Sequence, residues 1–112
     1  MKIINDKITL EELEQMAQNR FGDLVKAVVD IEKRIMAVDA ELHADEEALL
    51  IEKGSRQEVL WGINIYPEHT KEKWIEFDSM INLKPAHQNR SRSVENPEIR
   101  VKITEIVNNL IK

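Results

Sequence analysis

Between Glu58 and Leu83 the apolar residues of this chain fall on alternate positions. Trp61, Ile63 and Ile65 mark one run and Ile75, Phe77, Ile81 and Leu83 the next, with Pro67-Glu-His-Thr-Lys-Glu-Lys73 between them. A period of two places every second side chain on the same face of a strand, and a helix cannot bury such a pattern on one side. The spacing predicts a hairpin with strands over 58–66 and 74–83, its apolar face on a core. The other face carries Asn64, Tyr66, Glu76, Asp78 and Asn82. Strands disfavour asparagine and aspartate, so this polar face is the first place to look for function.

The rest of the chain is read outward from that hairpin. Lys2 to Asn5 is a lead-in or a short edge strand. Thr9 and Glu12 form a capping box with Ile8 and Leu13 as its staple, and Gly22 is a helix stop, which predicts a helix over 9–20. From Leu24 the period changes to two: Val25, Ala27, Val29 and Ile31 share one face, and Lys26, Val28, Asp30 and Glu32 the other. This predicts a strand, a turn at Lys33-Arg34 and a second strand over 35–42. A helix follows from His43 to Gly54, with Asp45 as its expected cap. Asn96-Pro97 opens a last helix, whose apolar stripe is Ile99, Ile103, Ile106, Val107 and Leu110.

The expected fold is therefore α+β in the order α-ββ-α-ββ-α. It comprises a four-stranded, largely antiparallel sheet with helices packed on one face. At 112 residues this is one domain, 1–112, and 42% apolar content is enough for a core. A net charge of −5 argues against general binding to nucleic-acid backbone. The absence of cysteine excludes disulfides, zinc–thiolate sites and cysteine nucleophiles. No stretch approaches a membrane span and the N-terminal apolar run is too short for a signal peptide, so a soluble cytoplasmic protein is expected.

Four segments also carry a resemblance: Glu41-Leu-His-Ala-Asp45, Leu60-Trp-Gly-Ile-Asn-Ile-Tyr-Pro67, Asp78-Ser-Met-Ile-Asn-Leu-Lys-Pro85 and Gln88-Asn-Arg-Ser91. In this order and spacing the chain resembles an uncharacterised family of short prokaryotic proteins, the domain of unknown function numbered 5674. The resemblance implies one domain and brings no assigned activity or catalytic residues. It also implies glycine near the first turn, where Arg34 stands here.

Three constellations could carry chemistry. In Glu41-x-His43-x-Asp45 the side chains share one side if the segment is extended, which suits an acid/base pair or a divalent metal. If Asp45 caps the helix, they cannot all converge. The acidic face of Asp30, Glu32, Glu76 and Asp78, with Asn64, Tyr66 and Asn82, could coordinate a cation through oxygen, or could simply be a solvated sheet face. Lys84-Pro-Ala-His-Gln-Asn-Arg-Ser-Arg92 holds three cations and no acid in an otherwise acidic chain. Arginine grips planar anions through two parallel hydrogen bonds; alternatively this is a solvated loop paired with the acids around 45–47.

These constellations support three readings of an unknown function. The first is a binding module for an anionic small molecule or an acidic segment, using Lys84, Gln88, Asn89, Arg90, Ser91 and Arg92 with Asn64 and Asn82. The second is a hydrolytic enzyme built on Glu41, His43, Asp30, Glu76 and Asp78, with or without a divalent metal. The third is a homodimer formed through an exposed sheet face. No cofactor is indicated.

Overall fold

The computed structural model describes residues 1–112. Its centre is the pairing of β2 (Val25–Asp30) with β4 (Leu60–Ile65), antiparallel from Val25↔Ile65 to Asp30↔Leu60. On the other side of β2 lies β3 (Ile35–Val38), and beyond it β1 (Lys2–Ile4). The far edge of β4 pairs with β5, only Ile75–Glu76. The sheet thus has five strands, not the expected four, in the order β1-β3-β2-β4-β5 and antiparallel throughout.

One face of the sheet behaves as the alternation predicts. Val25, Ala27, Val29, Met36, Val38, Trp61, Ile63 and Ile65 pack against Leu13 and Ala17 of α1 (Leu10–Arg20) and Ile103, Ile106, Val107 and Leu110 of α3 (Pro97–Leu110). Local chemistry sets the helix ends. The Thr9 hydroxyl accepts from the Glu12 N–H at 3.1 Å, and the Asn96 side chain accepts from Glu98 and Ile99.

The expectation of helices on a single face is corrected. α2 (His43–Glu52) crosses the opposite face, where Val28, Ala37 and Leu60 pack with Leu50, and Ile3, Ile35 and Ile81 lie alongside. β3 reads Ile-Met-Ala-Val with no polar residue, as a strand covered on both sides requires. The polar sheet face is consequently an interior, and a homodimer formed through an exposed sheet face has no such face to use.

The second strand of the opening hairpin also ends early. Gly62 leaves room for Ser79 to lie over it; a Cβ there would sit 2.5 Å from the Ser79 Cβ and Oγ. The Asn82 side chain then supplies what a neighbouring strand would have supplied. Its Oδ1 accepts from the Gly62 N–H at 2.8 Å, and its Nδ2 donates to the Gly62 carbonyl at 2.9 Å and to the Arg92 carbonyl at 2.9 Å. The predicted strand over 74–83 is thus a two-residue strand, an extended crossing, and a 3₁₀ turn at Met80–Asn82. Ile81 joins the second core, and Leu83 is left exposed.

Arg34 closes the β2–β3 turn at φ 60°, in the left-handed region, with its N–H donating to the Asp30 carbonyl at 2.9 Å. A side chain is strained there and glycine is not. Arg34→Gly should raise stability by about 0.5–1 kcal/mol, after allowing for glycine's greater unfolded-state entropy. Conversely, Asn82→Ala strands two buried backbone groups of Gly62 and should cost about 2–4 kcal/mol. Urea denaturation of the two variants measures both effects. An Asn82→Ala protein as stable as wild type would mean that water replaces the amide at Gly62.

Candidate functional site

The sequence candidates divide into groups whose hydrogen bonds are consumed by the fold and groups with capacity left over. In the 84–92 loop, Lys84 is buried. Its Nζ donates to the Gln57 carbonyl at 3.1 Å and lies 5.3 Å from the centre of the Trp61 ring, and burial pulls its pKa down. Asn89 is buried too: its Nδ2 donates to the Asn82, Ser91 and Ser93 carbonyls and its Oδ1 accepts from the Glu95 N–H. Asn82 is committed to Gly62. These three hold the loop in shape. Gln88 adopts φ 62° at the end of a 3₁₀ turn, the Arg90 N–H donates to Glu95, and the Ser91 hydroxyl accepts from the Ser93 N–H. The eight residues proposed for binding do not form one site: Arg92 and Asn64 line one cleft, Gln88 and Asn89 another beside Trp61.

The carboxylate and histidine set is also taken apart. Asp30 is a buried turn anchor: Oδ1 accepts from the Glu32 and Lys33 N–H groups, each at 2.8 Å, and Oδ2 accepts from the Ser55 hydroxyl at 2.6 Å. Glu32 sits outside, paired with Arg56 at 2.6 Å. Asp45 does not cap α2; Leu42 occupies the cap position and offers no side-chain bond. Glu41 and Asp45 line a wide depression of about 500 Å³ beside Arg20 and Asp39, whereas His43 points inward to the sheet. The Glu41-x-His43-x-Asp45 face therefore does not form, and no three His, Asp or Glu side chains stand close enough together to hold a metal ion. Glu76 accepts at Oε1 from the Asn64 amide at 2.8 Å and from the Tyr66 hydroxyl at 3.1 Å.

What remains is a small cleft of about 200 Å³ between the start of α2 and the Asp78–Ile81 crossing. It draws members from both sequence hypotheses, with His43, Asn64, Asp78 and Arg92 on its walls, and adds Lys26 from β2. The sheet register explains the meeting. Lys26 pairs with Asn64, and Asn64 with Glu76, so all three project from the same face. The wide depression is larger, but Asp39, Glu41, Asp45 and Glu52 line it against Arg20, which is paired with both Asp39 at 2.8 Å and Glu41 at 3.8 Å, so for an anion the chemistry favours the smaller cleft.

Each cleft group has a defined state. The His43 Nε2 lies 2.8 Å from the Ile63 carbonyl; a carbonyl only accepts, so Nε2 carries the proton and Nδ1 is a bare acceptor. Burial pulls the His43 pKa below its usual value, outweighing the bond to Ile63 and helped by the Lys26 and Arg92 charges, so the ring is neutral at neutral pH. Arg92 uses its Nε to hold Asp78 at 2.7 Å, and its two terminal nitrogens have no protein partner. Lys26 pairs with no carboxylate; its Nζ lies 5.1 Å from the Phe21 ring centre. The first N–H groups of α2, at His43 and Ala44, have no side-chain cap. Asn64 donates both bonds from its Nδ2, while its buried Oδ1 has no donor.

One turn along α2 from His43 lies Glu46, fully buried, which the sequence reading passed over. Its Oε2 accepts from the Ala40 N–H at 3.1 Å and its Oε1 has no partner. Loss of water pushes its pKa from 4.5 up to about 9, against the Ala40 bond and the Lys26 charge, so it is neutral at pH 7. The signal was available, because His43, Glu46 and Leu50 are spaced as the buried stripe of a helix. Lys26 was likewise visible as a polar residue inside an apolar strand.

The family model described as "Protein of unknown function (DUF5674)" covers residues 2–110. No curated protein and no solved structure matches. No helix is long and apolar enough to cross a membrane.

The Glu46 carboxyl sets a testable pH dependence. Its folded pKa lies above its unfolded value, so the unfolded state releases the proton first and stability falls as pH rises between 4.5 and about 9. The slope from this group is about 1.4 kcal/mol per pH unit. Glu46→Gln keeps an acceptor for the Ala40 N–H and removes the titration. Its stability relative to wild type should climb steadily from pH 5 to pH 8 in urea denaturation, and a constant difference would refute a neutral buried Glu46.

Proposed function

We propose that this chain, which belongs to the DUF5674 family, is a binding domain for a small anion held in the cleft between the start of α2 and the Asp78–Ile81 crossing. The observation that carries the reading is the convergence there of unused donors. Arg92, with the free end of its guanidinium, Lys26, whose ammonium has no carboxylate partner, and the uncapped start of α2 line one concavity. An uncapped helix start attracts negative charge, and guanidinium presents a fork that matches carboxylate and phosphate oxygens.

This narrows the binding reading of the 84–92 loop to its last arginine. A hydrolytic role for His43 would require its Nδ1 to act as a base on the bound molecule. The neutral ring permits that; of the carboxylates named for it in the sequence, Asp78 shares the cleft but is held by Arg92, Glu76 is bonded to Asn64 and Tyr66, and Glu41 and Asp30 lie elsewhere.

Nuclear magnetic resonance titration with acetate, followed at the Ala44 amide and the Asn64 side-chain amide, tests the anion site. Saturable shifts with a Kd of about 1–10 mM are expected, weakened about tenfold or more in Arg92→Ala. Arg92 is largely exposed, so that variant should fold normally. Shifts that never saturate, or that persist unchanged in Arg92→Ala, would remove the proposal.

A further inference from the structure

Two large apolar side chains stand uncovered at the mouth of this cleft. Leu42, one residue before α2, is 55% exposed, and Met80, on the facing crossing, is 61% exposed. Such side chains occur singly on any surface, but here they flank a concavity floored by Ile81 and walled by cationic and donor groups. The cleft thus has both apolar and cationic side chains in its lining.

Charge narrows the acid group. Among the lining side chains Lys26 and Arg92 are opposed by Asp78 alone, and His43 is neutral, which leaves one net positive charge. Glu76 stands behind Asn64 and adds a further negative charge nearby. The lining charge alone balances a single anionic group and no more, and with Glu76 behind it a phosphate dianion would meet repulsion from both Asp78 and Glu76. Size narrows the rest. About 200 Å³ is the share of roughly six or seven water-sized groups, enough for a carboxylate and a chain of about four carbons.

Resting on the anion reading above, we infer that the occupant is a short aliphatic carboxylic acid. Its carboxylate lies against Arg92, Lys26 and the first amides of α2, and its hydrocarbon lies over Leu42 and Met80. The two contributions are separable. The ionic end is strong only where water is thin, and the apolar end adds up to about fourfold in affinity for each methylene fully covered. In an open cleft that covers only part of the chain, the apolar end should contribute about tenfold overall.

The test compares hexanoate, acetate, hexan-1-ol and inorganic phosphate on the full chain, read at the Ala44 amide, the Asn64 side-chain amide and the Met80 methyl group. Hexanoate should bind about tenfold tighter than acetate, with hexan-1-ol and phosphate both weaker than hexanoate. Met80→Ser, an exposed change that leaves the core intact, should bring hexanoate close to acetate without altering acetate binding. Equal affinities for acetate and hexanoate would overturn the aliphatic acid while leaving the anion site standing. Hexan-1-ol matching hexanoate, or phosphate exceeding it, would overturn the assignment of a singly charged acid. Silence from every anion would instead overturn the anion site itself.

Discussion

The hydrogen bonds between the Asn82 side chain and the backbone of Gly62 decide how the second half of this protein is laid out. A central strand must have both edges satisfied, because a buried N–H or carbonyl left without a partner costs about 1–3 kcal/mol. β5 satisfies β4 only at Asn64 and Ile65. At Gly62 a primary amide takes over, accepting from the N–H and donating to the carbonyl as a neighbouring strand would. Released from the ladder, the chain crosses the second face of the sheet instead of continuing along it. That crossing carries Asp78, Ser79 and Met80 to the start of α2 and so creates the cleft. Gly62 is the other half of the arrangement, since any side chain there would collide with Ser79.

The buried polar residues sort by whether the fold exhausts them. Asp30, Asn82, Lys84 and Asn89 are spent on backbone groups of turns, edges and loops, and each makes its segment rigid. They behave as the polar equivalent of core packing: fully satisfied networks specify one arrangement. His43, Asn64 and Glu46 differ, because each has a bonded atom and another without a protein partner. Two of these three line the cleft, and the third lies one helical turn behind it. Half-satisfied buried groups oppose folding; these three lie on the α2 side of the sheet, while the unpartnered indole N–H groups of Trp61 and Trp74 belong to the other face.

Much of the architecture was legible in the chain. The Thr9–Glu12 box, the Asn96-Pro97 start and the glycines after the first two helices mark ends through bonds that reach only three or four residues. Strict alternation at Trp61, Ile63 and Ile65 placed those side chains in the core correctly. The reading failed where contact over long sequence distance competes with local pattern. Phe77, Ile81 and Leu83 alternate like a strand, yet the ladder ends at Glu76 because Asn82 binds Gly62 across 20 residues. Asn64 and Asn82 both stand out as asparagines in an alternating pattern, but only Asn64 lines the cleft. The other replaces the strand it was assigned to.

The sequence by itself determined the class of the fold, the helix boundaries and the apolar face of the sheet, because hydrophobic period and capping chemistry act through near neighbours. Membership of the family, too, is carried by the order of its residues. Tertiary structure alone decided that α2 covers the second face, that Lys26 stands beside Asn64, and that Arg92 and His43, 49 positions apart in number, line one cleft. Those outcomes depend on strand register and on which groups are left unpaired once all others have been satisfied. Neither can be evaluated until the whole chain is packed, which is why the opening hairpin's polar face was found from sequence and its use was not.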